Sequence, residues 1–150
     1  MLHGPVAMSV VMAVIVTGAV LGRIPPVKVL DSTVTTPQVA PGGTFALHRH
    51  VTWLRSDCTD VKISAEIIDS LAPAGYHHTM QSVDLGMPRP DITDTGREWQ
   101  VPFQMPWGNA TYRAYLAFEC FPFYGLWPIE VALPELKFTV VPPYIPRTSQ

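Results

Sequence analysis

The two cysteines of this 150-residue chain have its most clearly defined chemistry. Cys58 lies just after one predicted strand, and Cys120 lies at the end of another. Such strand ends can meet at one end of a β-sandwich, so we expect a disulfide. It would close a loop of about 62 residues and stabilise the fold by about 4 kcal/mol. The alternative is a pair of reduced, buried thiols in a cytosolic domain, since zinc sites place their cysteines in close pairs.

Two pairs of histidines could bind copper or zinc. His48 and His50 alternate onto one face of a predicted strand, and His77 and His78 are adjacent. Neither pair has an evident third ligand or a carboxylate at fixed spacing. Solvent-facing histidines are therefore the simpler interpretation, a metal site is kept as an alternative, and no cofactor is expected.

The segment 121–129, between the last two predicted strands, is rich in large apolar side chains. Loops at one end of a sandwich commonly contact partners, and Tyr and Trp are favoured at interfaces. The candidate interface residues are Phe121, Phe123, Tyr124, Leu126 and Trp127. In the alternative interpretation, Leu126, Trp127 and Ile129 fold back and close the end of the sandwich beside the disulfide.

The sequence contains no recognisable enzyme motif. It lacks a Gly-x-Ser-x-Gly elbow, a phosphate-binding glycine loop and a His-Glu-x-x-His zinc helix. Turn formation accounts for the aspartates beside predicted turns, namely Asp57, Asp60, Asp69, Asp91 and Asp94. Since no such enzyme motif is present, we expect a protein that is not an enzyme. Ten basic and twelve acidic residues give a net charge of -2 without a basic run, so we do not expect nucleic-acid binding.

Alternating hydrophobicity predicts the strands that position these residues. Val61, Ile63, Ala65 and Ile67 share one strand face, and polar or charged residues separate them. Similar patterns predict further strands at 27–36, 44–54, 77–85, 99–105, 112–120 and 136–140. Turn-rich connections and the lack of an amphipathic helix predict an all-β fold, an immunoglobulin-like antiparallel β-sandwich of about seven strands.

Two residues conflict with their predicted strands. Pro102 lacks the amide hydrogen that a central strand needs, so its strand is expected at an edge or at a bulge. Arg49 interrupts an otherwise apolar series, for which we expect a bulge or a paired, partly exposed guanidinium.

Residues 4–22 contain no Asp, Glu, Lys or Arg and predict one N-terminal hydrophobic helix. A helix of that length measures about 28 Å, close to the thickness of a bilayer core. We expect an uncleaved membrane anchor, with a cleaved signal peptide and secretion as the alternative. Arg23 and Lys28 would favour a cytoplasmic flank. The expected disulfide favours instead an inner-membrane anchor with the C-terminal domain in the periplasm.

The chain divides into four parts on this interpretation. Residues 1–22, here called the leader, are the anchor or signal segment, and residues 23–26 are a linker. Residues 27–141 form the β-sandwich domain, and residues 142–150 form a proline-rich tail. We expect the protein to contact the membrane through residues 4–22 of the leader.

Five segments resemble small single-anchor proteins encoded by bacteriophages and prophages of Gram-negative bacteria. They are Val39-Ala40-Pro41-Gly42-Gly43, Arg55-Ser56-Asp57-Cys58, Ile67-Ile68-Asp69-Ser70, Tyr112 through Cys120, and Leu126-Trp127-Pro128-Ile129. The resemblance covers most of the chain and implies an inner-membrane anchor with a periplasmic immunoglobulin-like domain, but no catalytic residue. The chain differs from that pattern because no basic residue precedes its anchor.

The predicted function is that of a non-enzymatic, membrane-anchored envelope domain that binds another envelope or phage protein through residues 121–128. One alternative is a structural component of a virion or of an envelope assembly. The other is a periplasmic metal-binding domain that uses the histidine pairs.

Overall fold

The computed structural model describes residues 24–71, 77–80, 82–86, 93–121 and 128–143, together with Ser9, Met12, Ala13, Thr17, Arg89 and Asp91. These residues form ten strands, namely β1 (Val27–Val34), β2 (Gln38–Val39), β3 (Thr44–Trp53), β4 (Cys58–Asp69), β5 (His77–Thr79), β6 (Val83–Gly86), β7 (Asp94–Gln100), β8 (Gly108–Cys120), β9 (Ile129–Ala132) and β10 (Leu136–Val140). The predicted helix over 4–22 falls almost wholly outside the described residues. Across the part of the chain that is described, no helix is long and apolar enough to cross a membrane.

The strands form two sheets that pack as a sandwich. The first sheet has the order β1-β3-β7, and the second has the order β2-β10-β8-β4-β5. In the second sheet, β6 also pairs with β4, and β9 also pairs with β8. All pairs are antiparallel except the short parallel pair of β2 and β10. The predicted all-β sandwich is therefore confirmed.

The number of strands differs from the predicted seven. The segment predicted as one strand over 77–85 contains two short strands, β5 and β6, which pair with different halves of β4. The short strands β2 and β9 add two more. Strands of two to four residues are too short to show a recognisable alternation, which explains why the sequence did not reveal them.

The long strands β4 and β8 form the centre of the second sheet. They pair from Cys58 opposite Cys120 to Asp69 opposite Ala110. The predicted inner face of β4 is buried at all four positions, and on β8 the side chains of Tyr112 and Phe118 are fully buried. Alternation predicted these two strands correctly because each has one face in the core and one face outside.

The strand predicted over 99–105 lies earlier in the chain, because β7 runs from Asp94 to Gln100 and shares only residues 99–100 with the prediction. Pro102 cannot donate a ladder hydrogen bond, and the edge strand β7 stops just before it, as its sequence suggested. Alternation predicted one shared face for Trp99, Val101, Phe103 and Met105; Val101 and Met105 are buried, but Phe103 is 77% exposed, so the prediction was wrong for Phe103. The Phe103 ring covers Gly42, which has a φ of 76°. The amide of Gly42 donates a hydrogen bond to the carbonyl of Val101 at 3.0 Å.

Candidate functional site

Cys58 and Cys120 form the predicted disulfide, with an S–S distance of 2.06 Å. The two residues are partners on the neighbouring strands β4 and β8 and are both buried. The bond therefore lies within one sheet, whereas the disulfide of antibody domains joins the two sheets. It fixes the end of the sandwich at which β4 begins and β8 ends.

An ion pair holds the start of the predicted aromatic loop beside this disulfide. Arg55 donates from its guanidinium to the Asp57 carboxylate and, from Nη2, to the carbonyl of Phe121 at 2.8 Å. The Phe121 amide donates in turn to the Asp57 carbonyl at 3.0 Å. The hydrogen bonds from Arg55 hold the pKa of the Asp57 carboxyl below its usual value. Asp57 thus has a structural partner that the sequence interpretation, which assigned it to a turn, did not identify.

Three large apolar side chains are exposed around this ion pair. The exposed fractions are 57% for Phe121, 53% for Leu54 and 47% for Ile24. A shallow concavity is lined by Ile24, Leu54, Arg55, Ser56 and Asp57. Phe121 adjoins it through the hydrogen bond from Arg55 to its carbonyl. We call the surface formed by Ile24, Leu54, Arg55, Asp57 and Phe121 the leader-proximal surface, because Ile24 lies in the linker that follows residues 1–22.

Of the five candidate interface residues, Phe121 belongs to the leader-proximal surface. The other four lie outside the described residues, namely Phe123, Tyr124, Leu126 and Trp127. The two alternatives for this loop, partner contact or closure of the sandwich end, remain predictions for those four residues.

The two histidine pairs lie on different sheets, and each contacts carboxylates. On β3, His50 Nδ1 lies 2.8 Å from Asp94 Oδ1, and His48 Nε2 lies 3.9 Å from the same oxygen. These contacts, with that of His50 the stronger, hold the pKa of Asp94 below its usual value. The sequence interpretation missed this partner because β3 and β7 are far apart along the chain.

The second pair lies on β5, beside the last part of β4. His77 Nδ1 is 2.9 Å from Glu66 Oε2, and His78 Nε2 is 3.1 Å from Asp69 Oδ2. Asp69 also accepts a hydrogen bond from the Leu71 amide, the turn role expected for it. Among the residues that the structure describes, no group of three or more His, Cys, Asp or Glu side chains is arranged to hold a metal ion.

A cavity of about 320 Å³ lies between the two sheets, and we call it the inter-sheet cavity. Most of its lining is apolar and comes from both sheets. The lining residues are Val27, Arg49, Val51, Trp53, Val61, Ile63, Leu85, Asp94, Thr95, Gly96, Arg97, Leu116, Phe118 and Leu133. Its exposed lining residues, Asp94 and Gly96, lie on the edge strand β7, so the cavity reaches solvent beside that edge.

Arg49 is the buried cation of this cavity, with only 4% of its surface exposed. The expected partly exposed guanidinium is wrong, because Arg49 stays on the inner face of β3. An irregularity does occur nearby, but it lies in the opposing strand β1, between Val29 and Asp31, whereas β3 pairs with β7 without a shift of register. Its Nε and Nη2 atoms are buried without a hydrogen-bond partner. The guanidinium carbon lies 5.4 Å from the centre of the Tyr112 ring. Burial lowers the pKa of Arg49, and the neighbouring Tyr112 partly offsets this effect.

Arg97 is a second cation at the same cavity. The alternation along β7 places Thr95, Arg97 and Trp99 on its inner face, where Arg97 is half-buried. In the described part of the chain, no carboxylate forms an ion pair with either arginine. Arg97 was not among the candidates predicted from the sequence, although its position two residues before the buried Trp99 was a signal that it faces inward.

Comparison with known proteins gives distant structural similarities. No family model and no curated protein matches the chain. The chain is similar to the Pseudomonas fluorescens alkylpurine DNA glycosylase AlkC bound to DNA containing an abasic site analog, with 12% identity and a TM-score of 0.47 over 77% of this chain and 30% of that one. It is also similar to the sporulation control protein Spo0M of Bacillus subtilis, with 13% identity and a TM-score of 0.45 over 78% of this chain and 50% of that one. An immunoglobulin-like protein of Pseudomonas aeruginosa shows 15% identity and a TM-score of 0.40 over 79% of this chain and 94% of that one. The chain spans less than two thirds of the length of the first two proteins.

Proposed function

We propose that this chain is a non-enzymatic envelope protein whose immunoglobulin-like domain binds another protein through the leader-proximal surface. The proposal includes an inner-membrane anchor in residues 1–22, a periplasmic location for the domain, and a partner of the envelope or of a phage. The observation that carries it is the grouping of exposed Ile24, Leu54 and Phe121 at one end of the sandwich. Large exposed apolar side chains around a polar pair are typical of protein interfaces.

The disulfide supports the proposed compartment. A bond such as Cys58–Cys120 persists in oxidising compartments and is rare in the cytosol, where thiols are kept reduced. It also holds β4 and β8 together where the leader-proximal surface begins. A rigid surface loses little conformational entropy on binding, which favours affinity.

The position of the surface relative to the leader restricts the partner. Ile24 is followed by Pro25 and Pro26, which favour an extended and stiff linker. With the leader in the membrane, the surface therefore lies close to the lipid headgroups. The partner we propose is a membrane protein, or a protein held at the membrane, rather than one free in the periplasm.

Substitutions at the surface test the proposal in the full-length protein. Phe121→Ser and Leu54→Ser each remove an exposed apolar contact, and we expect each to weaken recovery of a crosslinked partner from membranes at least about fivefold. Leu71→Ser is the matched control, because Leu71 is 71% exposed but follows the opposite end of β4. Unchanged melting of all three variants would show that the loss is one of binding.

Two results would contradict the proposal. One is equal recovery of the partner by the Phe121→Ser, Leu54→Ser and Leu71→Ser variants. The other is recovery of the protein only in purified phage particles and not in membranes, which would favour a structural component of a virion.

A further inference from the structure

We propose that the inter-sheet cavity binds a small organic carboxylate with an apolar body, whose carboxylate group is held by Arg49. This site is independent of the leader-proximal surface and adds a small-molecule ligand to the proposed function. It rests on the unpaired guanidinium, on the apolar walls, and on the volume between the sheets.

The unpaired guanidinium indicates a missing anion. Nε and Nη2 of Arg49 are both buried, and neither has a hydrogen-bond partner. An uncompensated buried charge is strongly unfavourable, so buried charges in proteins are normally paired. Tyr112 compensates the guanidinium in part, through its ring face and its hydroxyl group, but Nε and Nη2 keep no hydrogen-bond partner. A carboxylate can accept two parallel hydrogen bonds from an arginine and would satisfy both atoms.

The cavity itself does not supply this anion. Among the described residues that line it, Asp94 alone is acidic, and its Oδ1 atom lies 2.8 Å from His50 Nδ1. Arg97 lines the same cavity and adds a second positive charge. An anionic ligand is therefore favoured over a neutral one, and a cationic ligand is excluded by repulsion.

The walls determine the rest of the ligand. Val51, Trp53, Ile63, Leu116 and Phe118 offer aliphatic and aromatic surface from both sheets. Such walls cannot replace the hydration shell of inorganic phosphate, but they can cover a hydrocarbon body. At about 30 Å³ for each water-sized group, the volume of about 320 Å³ accommodates about ten non-hydrogen atoms. A carboxylate of medium chain length matches this volume.

The test measures octanoate binding to the full-length protein in lipid nanodiscs, by NMR of octanoate labelled with ¹³C at its carboxyl group. Empty nanodiscs give the contribution of partition into lipid. We expect saturable binding to the wild-type protein and at least about tenfold weaker binding to the Arg49→Met variant, since charge-assisted hydrogen bonds are lost. Arg113→Met is the matched control, because Arg113 lies on β8 away from the cavity, pairs with Glu135 at 2.7 Å, and should leave binding unchanged.

A second variant keeps Arg49 and fills the cavity. Leu116→Phe adds volume at a half-buried lining position and should also weaken octanoate binding, which keeps the proposal testable if Arg49→Met does not fold. Octanol and inorganic phosphate, tested alone, should each bind more weakly than octanoate. The proposal is overturned if wild-type protein shows no saturable binding at millimolar octanoate, or if Arg49→Met or Leu116→Phe binds it with wild-type affinity. It is also overturned if octanol or phosphate binds as tightly as octanoate.

Discussion

Replacing Arg49 with Met should make the unliganded protein more stable, although Arg49 lies in the middle of a strand. Only 4% of Arg49 is exposed, and its Nε and Nη2 atoms have no partner, so folding removes the charge from water without full compensation. Replacing buried ionic groups with apolar ones of similar volume commonly stabilises proteins by about 1–4 kcal/mol. The variant loses the contact with the Tyr112 ring, which contributes about 1 kcal/mol. The expected net gain in the free energy of unfolding is about 2 kcal/mol.

The gain can be measured by urea unfolding of the full-length protein in lipid nanodiscs, with tryptophan fluorescence as the signal. With a typical urea dependence of about 2 kcal/mol per molar, the midpoint should rise by about 1 M. The Arg113→Met control removes an exposed ion pair and should change stability by less than about 0.5 kcal/mol. If Arg49→Met lowers the midpoint while the control leaves it unchanged, the guanidinium is compensated in the folded state, and the reasoning is refuted.

Two further predictions concern the disulfide end of the sandwich. The double substitution of Cys58 and Cys120 by Ala should lower the free energy of unfolding by about 4 kcal/mol, because the bond closes a loop with a sequence separation of 62. A reductant should destabilise the wild-type protein by the same amount and leave the variant unaffected. Asp57→Asn should reduce the acid sensitivity of folding. The pKa of Asp57 is lowered in the folded state by Arg55, so its contribution is present above the ordinary value of 3.8 and is lost as the pH falls through the lower folded value. Asp57 is largely exposed, so this contribution to the free energy of unfolding should be below about 1 kcal/mol. The prediction is contradicted if the variant and the wild type give the same unfolding curve both at neutral pH and below about pH 4.

The features that the sequence predicted correctly depend on local patterns. The alternation of Val61, Ile63, Ala65 and Ile67 reports which face of β4 is buried, and this holds whatever lies across the sheet. The cysteines were paired correctly because the chain contains no others, and the strand ends on which they lie do meet.

The features that the sequence did not predict depend on contacts between distant segments. The pair of His50 and Asp94 joins residues 44 positions apart, and only the register of β3 with β7 brings them together. Arg49 was recognised as a conflict in an apolar series, but the sequence did not determine whether its side chain lies inside or outside the sandwich. A bulge on β3 would have turned it outward, whereas the irregularity beside it lies on β1 and the register of β3 with β7 keeps Arg49 inside. Whether a strand tolerates a buried charge depends on the space beside it, which no local pattern records.

The cavity and the disulfide belong to the same half of the sandwich. Val27, Val51, Val61 and Phe118 line the cavity and also form a buried cluster with Cys58 and Cys120. Trp53, another lining residue, packs edge-to-face on Phe118 with a centroid distance of 6.1 Å. Unfilled volume destabilises a core, which would normally relax to fill it. The covalent link between β4 and β8 fixes the spacing of the two strands that carry Val61 and Phe118, which belong to one wall of the cavity. Because the bond lies within one sheet, the width of the cavity depends instead on the side chains that pack between the sheets, such as Trp53 on Phe118.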